Sequence, residues 1–241
     1  MMSGNEADLD STSEVLTPAQ VRSASYSGIY TETVTLTDGV YEGEPFVEGG
    51  ASRPRVEYID GSERYGDLND DGIDDAAVLL VENSGGSGVF TYVGAQLNQN
   101  GQPSDAGTVW SGDRTQVADM SIADGIITVE LVTQGPNDPQ CCATLKVRKI
   151  LAIQDGWLAE TGSEEMGTVG LADLDGSTWH LIELAQDQPA LTDVEVTLVF
   201  EGEQLSGNGG CNQYSGSLSS EGGQQLTVGP GSLVELEGEN S

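Results

Sequence analysis

Gly66-Asp67-Leu68-Asn69-Asp70-Asp71-Gly72-Ile73-Asp74-Asp75-Ala76-Ala77-Val78-Leu79-Leu80 is the stretch on which the reading of the chain turns. Oxygen-bearing side chains fall at Asp67, Asn69, Asp71 and Asp75, and Gly72 follows the third of them. Those are positions 1, 3, 5 and 9 of a calcium loop, with glycine at position 6 for the sharp turn and the Ile73 carbonyl at position 7. A hard cation needs several oxygen donors converging from a short segment, and alternation within a tight turn supplies them. The pattern predicts a bound Ca2+ and names no reaction. The competing reading is an acidic Asx-rich turn that binds nothing.

Two features separate the loop from an EF-hand. Position 12 is Val78 where an EF-hand has a bidentate Glu, so water, Asp74 or a distant carboxylate must complete the shell. The flank Ala76 to Val81 is a short apolar run that reads as a buried strand and not a helix. A turn feeding a strand resembles the D-x-N-x-D-G-x-x-D loops of FG-GAP-type and dockerin-type modules. The resemblance covers the loop and its strand only, because a single clear copy is present.

Outward from the loop, the pattern is mainly β. Asp-Gly recurs at 38–39, 60–61, 71–72, 124–125, 155–156 and 175–176, several times between alternating apolar runs, which is a hairpin signature. Thr17-Pro18 predicts a short helix through Arg22, with Thr17 as N-cap and proline in the first turn. Strands are expected over Tyr30 to Thr37 with Val40-Tyr41, at Phe46-Val47, and over Arg55 to Ile59. Further strands are expected over Val89 to Val93, Ile126 to Val132, and Leu145 to Ile153 with Trp157-Leu158. Residues 98–108 read as a polar loop. Ser84 to Gly88 has no following helix and no nearby lysine, so it reads as a hairpin loop and not a phosphate cradle. The expected organisation is an acidic, disordered N-terminus with a short helix over 1–24, a β-rich antiparallel domain over 25–160, a linker over 161–170, and a small β domain over 171–241.

Charge excludes more than it assigns. Forty acidic residues against eight basic ones give a net charge of −32. Nucleic-acid binding needs basic clusters to neutralise phosphate, and none exists. The same field repels anionic membrane surfaces. The acidity and the scarcity of lysine fit a surface adapted to high salt, with cation capture by the surface as the alternative. No signal peptide, lipobox cysteine or transmembrane run is seen in this sequence.

The cysteines are Cys141, Cys142 and Cys211. An adjacent pair lacks the C-x-x-C spacing of zinc and redox sites. The structural readings are a vicinal disulfide, a bridge from one of them to Cys211, or buried thiols. All three residues are disulfide candidates.

Residues 174–216 carry a second resemblance. Leu174-Asp175-Gly176-Ser177-Thr178-Trp179-His180-Leu181 precedes the strand Val196-Thr197-Leu198-Val199-Phe200, and then comes Gly209-Gly210-Cys211-Asn212-Gln213-Tyr214-Ser215-Gly216. This resembles the META domain, the HslJ-like family of bacterial envelope and stress-associated proteins. The resemblance implies a small β fold outside the cytoplasm, periplasmic or secreted, with no established catalytic chemistry. It spans about the first half of such a domain and lacks a second cysteine, so an incomplete core is expected, to be completed by other strands, a protein partner or an oligomer. From the residues alone, Trp179, Phe200 and Tyr214 read as core and His180 as a partly exposed strand residue. The N-terminal part also resembles the uncharacterised β-rich domain that precedes META domains in some secreted bacterial proteins. Its landmarks here are the calcium-type loop, Gly85 to Gly88, Gly112-Asp113-Arg114 and Cys141-Cys142.

The functional expectation is a non-enzymatic, calcium-binding extracytoplasmic protein. One alternative is a hydrolase using paired carboxylates, but forty acids guarantee chance pairs, and neither G-x-S-x-G nor H-E-x-x-H is present. The other is an adhesin- or inhibitor-like interaction module.

Overall fold

The computed structural model describes residues 15–139, 142–184, 188–189, 194–221 and 225–235. The chain divides into two units, the first running to Met166 and the second starting at Gly167. The expected mainly β, antiparallel architecture is what the structure has.

Unit one opens with helix α1 (Pro18–Arg22). Thr17 and Gln20 form a reciprocal capping box, satisfying N–H groups that a five-residue helix otherwise leaves open. A two-stranded ribbon, β1 (Ser25–Tyr26) with β2 (Val34–Thr35), follows. The central sheet comprises β3 (Val40–Glu42), β4 (Arg55–Tyr58), β5 (Arg64–Gly66), β6 (Asp75–Glu82), β7 (Phe90–Gln99) and β8 (Gln102–Asp113). Its order is β3-β4-β6-β7-β8, with β5 pairing the start of β6. A four-stranded sheet of β9 (Gln116–Ala123), β10 (Ile126–Thr133), β11 (Leu145–Gln154) and β12 (Trp157–Thr168) runs in the order β12-β11-β10-β9.

Strand β6 explains the arrangement. Its residues alternate between two cores: Ala77 and Leu79 join the cluster shared with Ile127, Val129 and Leu151 of the second sheet. Ala76, Val78 and Leu80 join the cluster with Val21, Tyr26, Val34 and Leu36 under α1, β1 and β2. A strand covered on both faces needs an unbroken apolar run and not an alternating one. Val78, position 12 of the loop pattern, is thereby committed to the core.

Several expectations are corrected. Thr37 and Val40 form only an isolated bridge, while β2 pairs β1 and β3 pairs β4, so 30–41 is not a simple hairpin. Phe46 and Val47 lie in an exposed loop. Residues 98–108 are the end of β7 and most of β8, joined at Asn100-Gly101, both at positive φ. That geometry is the two-residue hairpin turn also adopted by Asp38-Gly39, Asp124-Gly125 and Asp155-Gly156. Of the expected linker over 161–170, residues 161–168 continue β12. Thr161 donates to the Ile150 carbonyl, and Arg148 pairs with Glu164 across the strands. Polar, acidic sequence here marks an exposed edge strand.

Unit two has β13 (Thr178–His180), β14 (Glu183–Leu184), β15 (Gln188–Pro189), β16 (Thr197–Glu201), β17 (Gln204–Asn208), β18 (Asn212–Glu221), β19 (Gln225–Val228) and β20 (Ser232–Glu235). The main sheet is ordered β13-β16-β17-β18-β19, with β20 also on β18, while β14 and β15 pair with each other. Phe200 and Leu218 are buried, but Trp179 is 56% exposed and is not the core residue expected. It sits on β13, which among the described residues pairs with β16 alone, and its indole N–H donates to Ser177.

Candidate metal centre and adjoining groove

The segment between β5 and β6 folds around its first carboxylate. Asp67 Oδ2 accepts from the Gly72 N–H at 2.7 Å, and Oδ1 accepts from those of Asn69 and Asp71 at 3.2 Å each. These backbone donors, Gly72 foremost, hold the Asp67 carboxyl below the usual range. Asn69 Oδ1 accepts from the Asp71 N–H at 3.0 Å, and Asp71 Oδ1 from the Ile73 N–H at 2.8 Å. Asp70 at φ 64° and Gly72 at φ 83° make the two left-handed steps that close the turn. Only glycine takes the second freely, and Asp is among the few residues that tolerate the first.

Asp75 begins β6 and is 0% exposed. Its Oδ2 accepts from the Leu68 N–H at 2.9 Å and its Oδ1 from the Asn98 N–H at 2.7 Å. Burial, followed by the negative charges of Asp71 and Asp67, pushes its pKa up. Among the described residues no cationic side chain pairs with it. Asp67, Asn69, Asp71 and Asp75 thus share one loop, with Ile73 following Gly72 on the same turn.

The donors are all oxygen, which suits hard cations such as calcium, magnesium or manganese better than copper or a thiolate-bound zinc. An ionised carboxylate offers about four lone-pair sites, so Asp71 and Asp75, each accepting two hydrogen bonds, retain capacity for a cation. Asp67 is the most heavily engaged. Among the described residues, no group of three or more His, Cys, Asp or Glu side chains is drawn together tightly enough to hold a metal ion unaided. An ion here would therefore depend on the amide of Asn69 and the carbonyl of Ile73 as well as the acids.

Sequence reasoning missed what lies beside the loop. A groove of about 980 Å³ is bounded by the loop, the β9–β10 turn and the β11–β12 turn. The end of β5, which leads into the loop, meets β9 very closely: a Cβ built on Gly66 would lie 2.6 Å from Ile122 Cγ2. Arg64 adds a hydrogen bond from Nε to the Met120 carbonyl at 2.8 Å. No periodicity foretells contacts between strands of different sheets.

Of the disulfide candidates, Cys142 is disulfide-bonded, whereas Cys211 is a free, exposed thiol. Cys141 lies outside the described residues. Cys211 makes no bridge in this structure and stands in the exposed turn between β17 and β18. Arg114 pairs with Asp113 at 2.7 Å, and exposed His180 lies 3.2 Å from Glu195. In the β17–β18 hairpin, Tyr214 donates to the Thr197 carbonyl at 2.6 Å. A Cβ on Gly207 would fall 2.0 Å from that same carbonyl, so glycine is required for the close approach.

No helix among the described residues is long and apolar enough to cross a membrane. Neither a curated protein nor a solved structure matches the chain. Residues 172–235, within unit two, match the META domain family.

Proposed function

We propose that this chain is a calcium-binding, non-enzymatic bacterial protein that works outside the cytoplasm, in a stress or envelope-associated role. The observation that carries the calcium reading is Asp75: a carboxylate with no exposure and, among the described residues, no cationic partner, set in the field of Asp67 and Asp71. A bound divalent ion would offset that charge, with Asp67, Asn69, Asp71, Asp75 and the Ile73 carbonyl as its ligands. Val78 cannot serve as the twelfth-position ligand, so water, Asp74 or a distant carboxylate completes the shell. The META match supports the envelope or stress role, and the HslJ-like assignment is part of this proposal. The charge of −32 supports a salt-adapted surface.

Calorimetric titration of the full chain with calcium tests the reading. One calcium per chain is expected, and Asp71→Ala weakens binding at least about tenfold, since affinity in such loops follows the number of charged ligands. Absence of calcium binding, or equal affinity in Asp71→Ala, sinks it.

A further inference from the structure

The groove beside the loop has a floor and a rim of opposite character. Leu97 of β7, Ile122 of β9 and Ile153 of β11 line it with aliphatic surface, and each is only partly buried. Asp67 and Asp70 of the loop and Asp124 of the β9–β10 turn supply carboxylates. No Lys, Arg or His is among the lining residues. Asp70 and Asp124 are exposed and held at positive φ by their turns, and among the described residues neither is in an ion pair. The walls are set by close backbone approach. Gly66 abuts Ile122, and a Cβ on Gly125 would reach the Leu68 and Asp67 carbonyls at 3.8 and 3.9 Å.

We infer that this groove takes a short peptide segment in which a basic side chain lies next to an aliphatic one, and that calcium in the adjoining loop weakens its hold. The aliphatic floor is still in contact with water and gains by being covered. The rim carboxylates complement a lysine or arginine and repel an acidic segment. Charge alone does not choose the place on so acidic a surface; the combination with the floor does. The volume lies at the upper end of the roughly 300–1,000 Å³ usual for ligand pockets, which suits a few side chains of an extended segment and not the face of a folded domain. Asp67 belongs to both the rim and the loop. An ion there neutralises the negative charge that attracts the peptide, and by linkage the peptide weakens calcium to the same degree. This second half rests on the calcium reading; the first does not.

The test is fluorescence anisotropy of a labelled tetrapeptide alternating leucine and lysine, with the full chain, in chelator and at high ionic strength. Asp70→Asn and Asp124→Asn each weaken binding about two- to fivefold, the size of a partly exposed ion pair. Asparagine tolerates positive φ, so both variants keep their turns. Asp38→Asn makes the same change at another left-handed turn away from the groove and leaves binding unaltered. Replacing the leucines of the probe by glycine weakens it further. An equal loss in Asp38→Asn, or undiminished binding of the glycine probe, would show general attraction to an acidic surface and overturn the inference. Saturating calcium raises the probe's Kd. If calorimetry shows calcium bound and the Kd does not move, the coupling is wrong. If calorimetry shows no calcium bound, the proposed function fails while the variants still decide the groove.

Discussion

Asp75 and Asp67 are two carboxylates of one loop with opposite environments. Asp67 sits in a ring of backbone N–H groups and stays ionised to lower pH than an ordinary aspartate. Asp75 is buried, and like charges face it, so its proton returns at higher pH than for an ordinary aspartate. The folded, calcium-free chain therefore binds this proton more tightly than the unfolded chain does. Its contribution makes calcium-free stability rise as pH falls from above the raised value towards the ordinary aspartate range. Calcium competes with the same proton. Calcium affinity should thus fall as pH drops through the raised value, before Asp67 titrates. Titrations at several pH values check this, and an affinity that stays flat down to about pH 4, the ordinary aspartate value, would contradict it.

At the scale of elements, the loop is held between β5 and β6 on one side and β9 on the other. Gly66→Ala would push a methyl group into Ile122, a β-branched side chain with little freedom to yield. A loss of about 1–3 kcal/mol is expected from denaturant unfolding, the usual cost of overpacking. An unchanged midpoint would mean that the end of β5 does not bear on β9. The loop's turn geometry was legible in the sequence because it is local: Asp67, Gly72 and Asp75 occupy positions that a short closed turn demands. The capping box at Thr17 and the Asp-Gly hairpins were legible for the same reason. Asn100-Gly101 carried an equally plain turn signal, but the polar run after it disguised β8, whose residues 102–105 are mostly half-exposed. The polar stretch 161–168 misled likewise, because an exposed edge strand has no need of apolar residues. The groove was invisible in the sequence, since Leu97, Ile122 and Ile153 are far apart in the chain and meet only when two sheets stack.

For the whole molecule, two features bear on stability. One is the net charge of −32, whose self-repulsion is relieved by salt as the screening length falls from about 10 Å at 0.1 M to about 3 Å at 1 M. The other is the group of carboxylates in the loop of unit one, which have no cationic partner among the described residues. The META match concerns unit two and leaves the chemistry of unit one to be argued from its own residues.

The most direct test of the calcium reading separates these two features. Thermal melts of the full chain are recorded across a sodium chloride series, each with calcium, magnesium or chelator at matched ionic strength. Salt should raise Tm in every arm. Calcium at about a hundred times its Kd should add roughly 2.7 kcal/mol, or about 5–10 °C for a unit of this size. Magnesium should add much less, because a loop of many weakly held oxygens suits the larger ion. A Tm that depends on ionic strength alone, with calcium and chelator curves superimposed, would reduce residues 67–75 to an acidic turn.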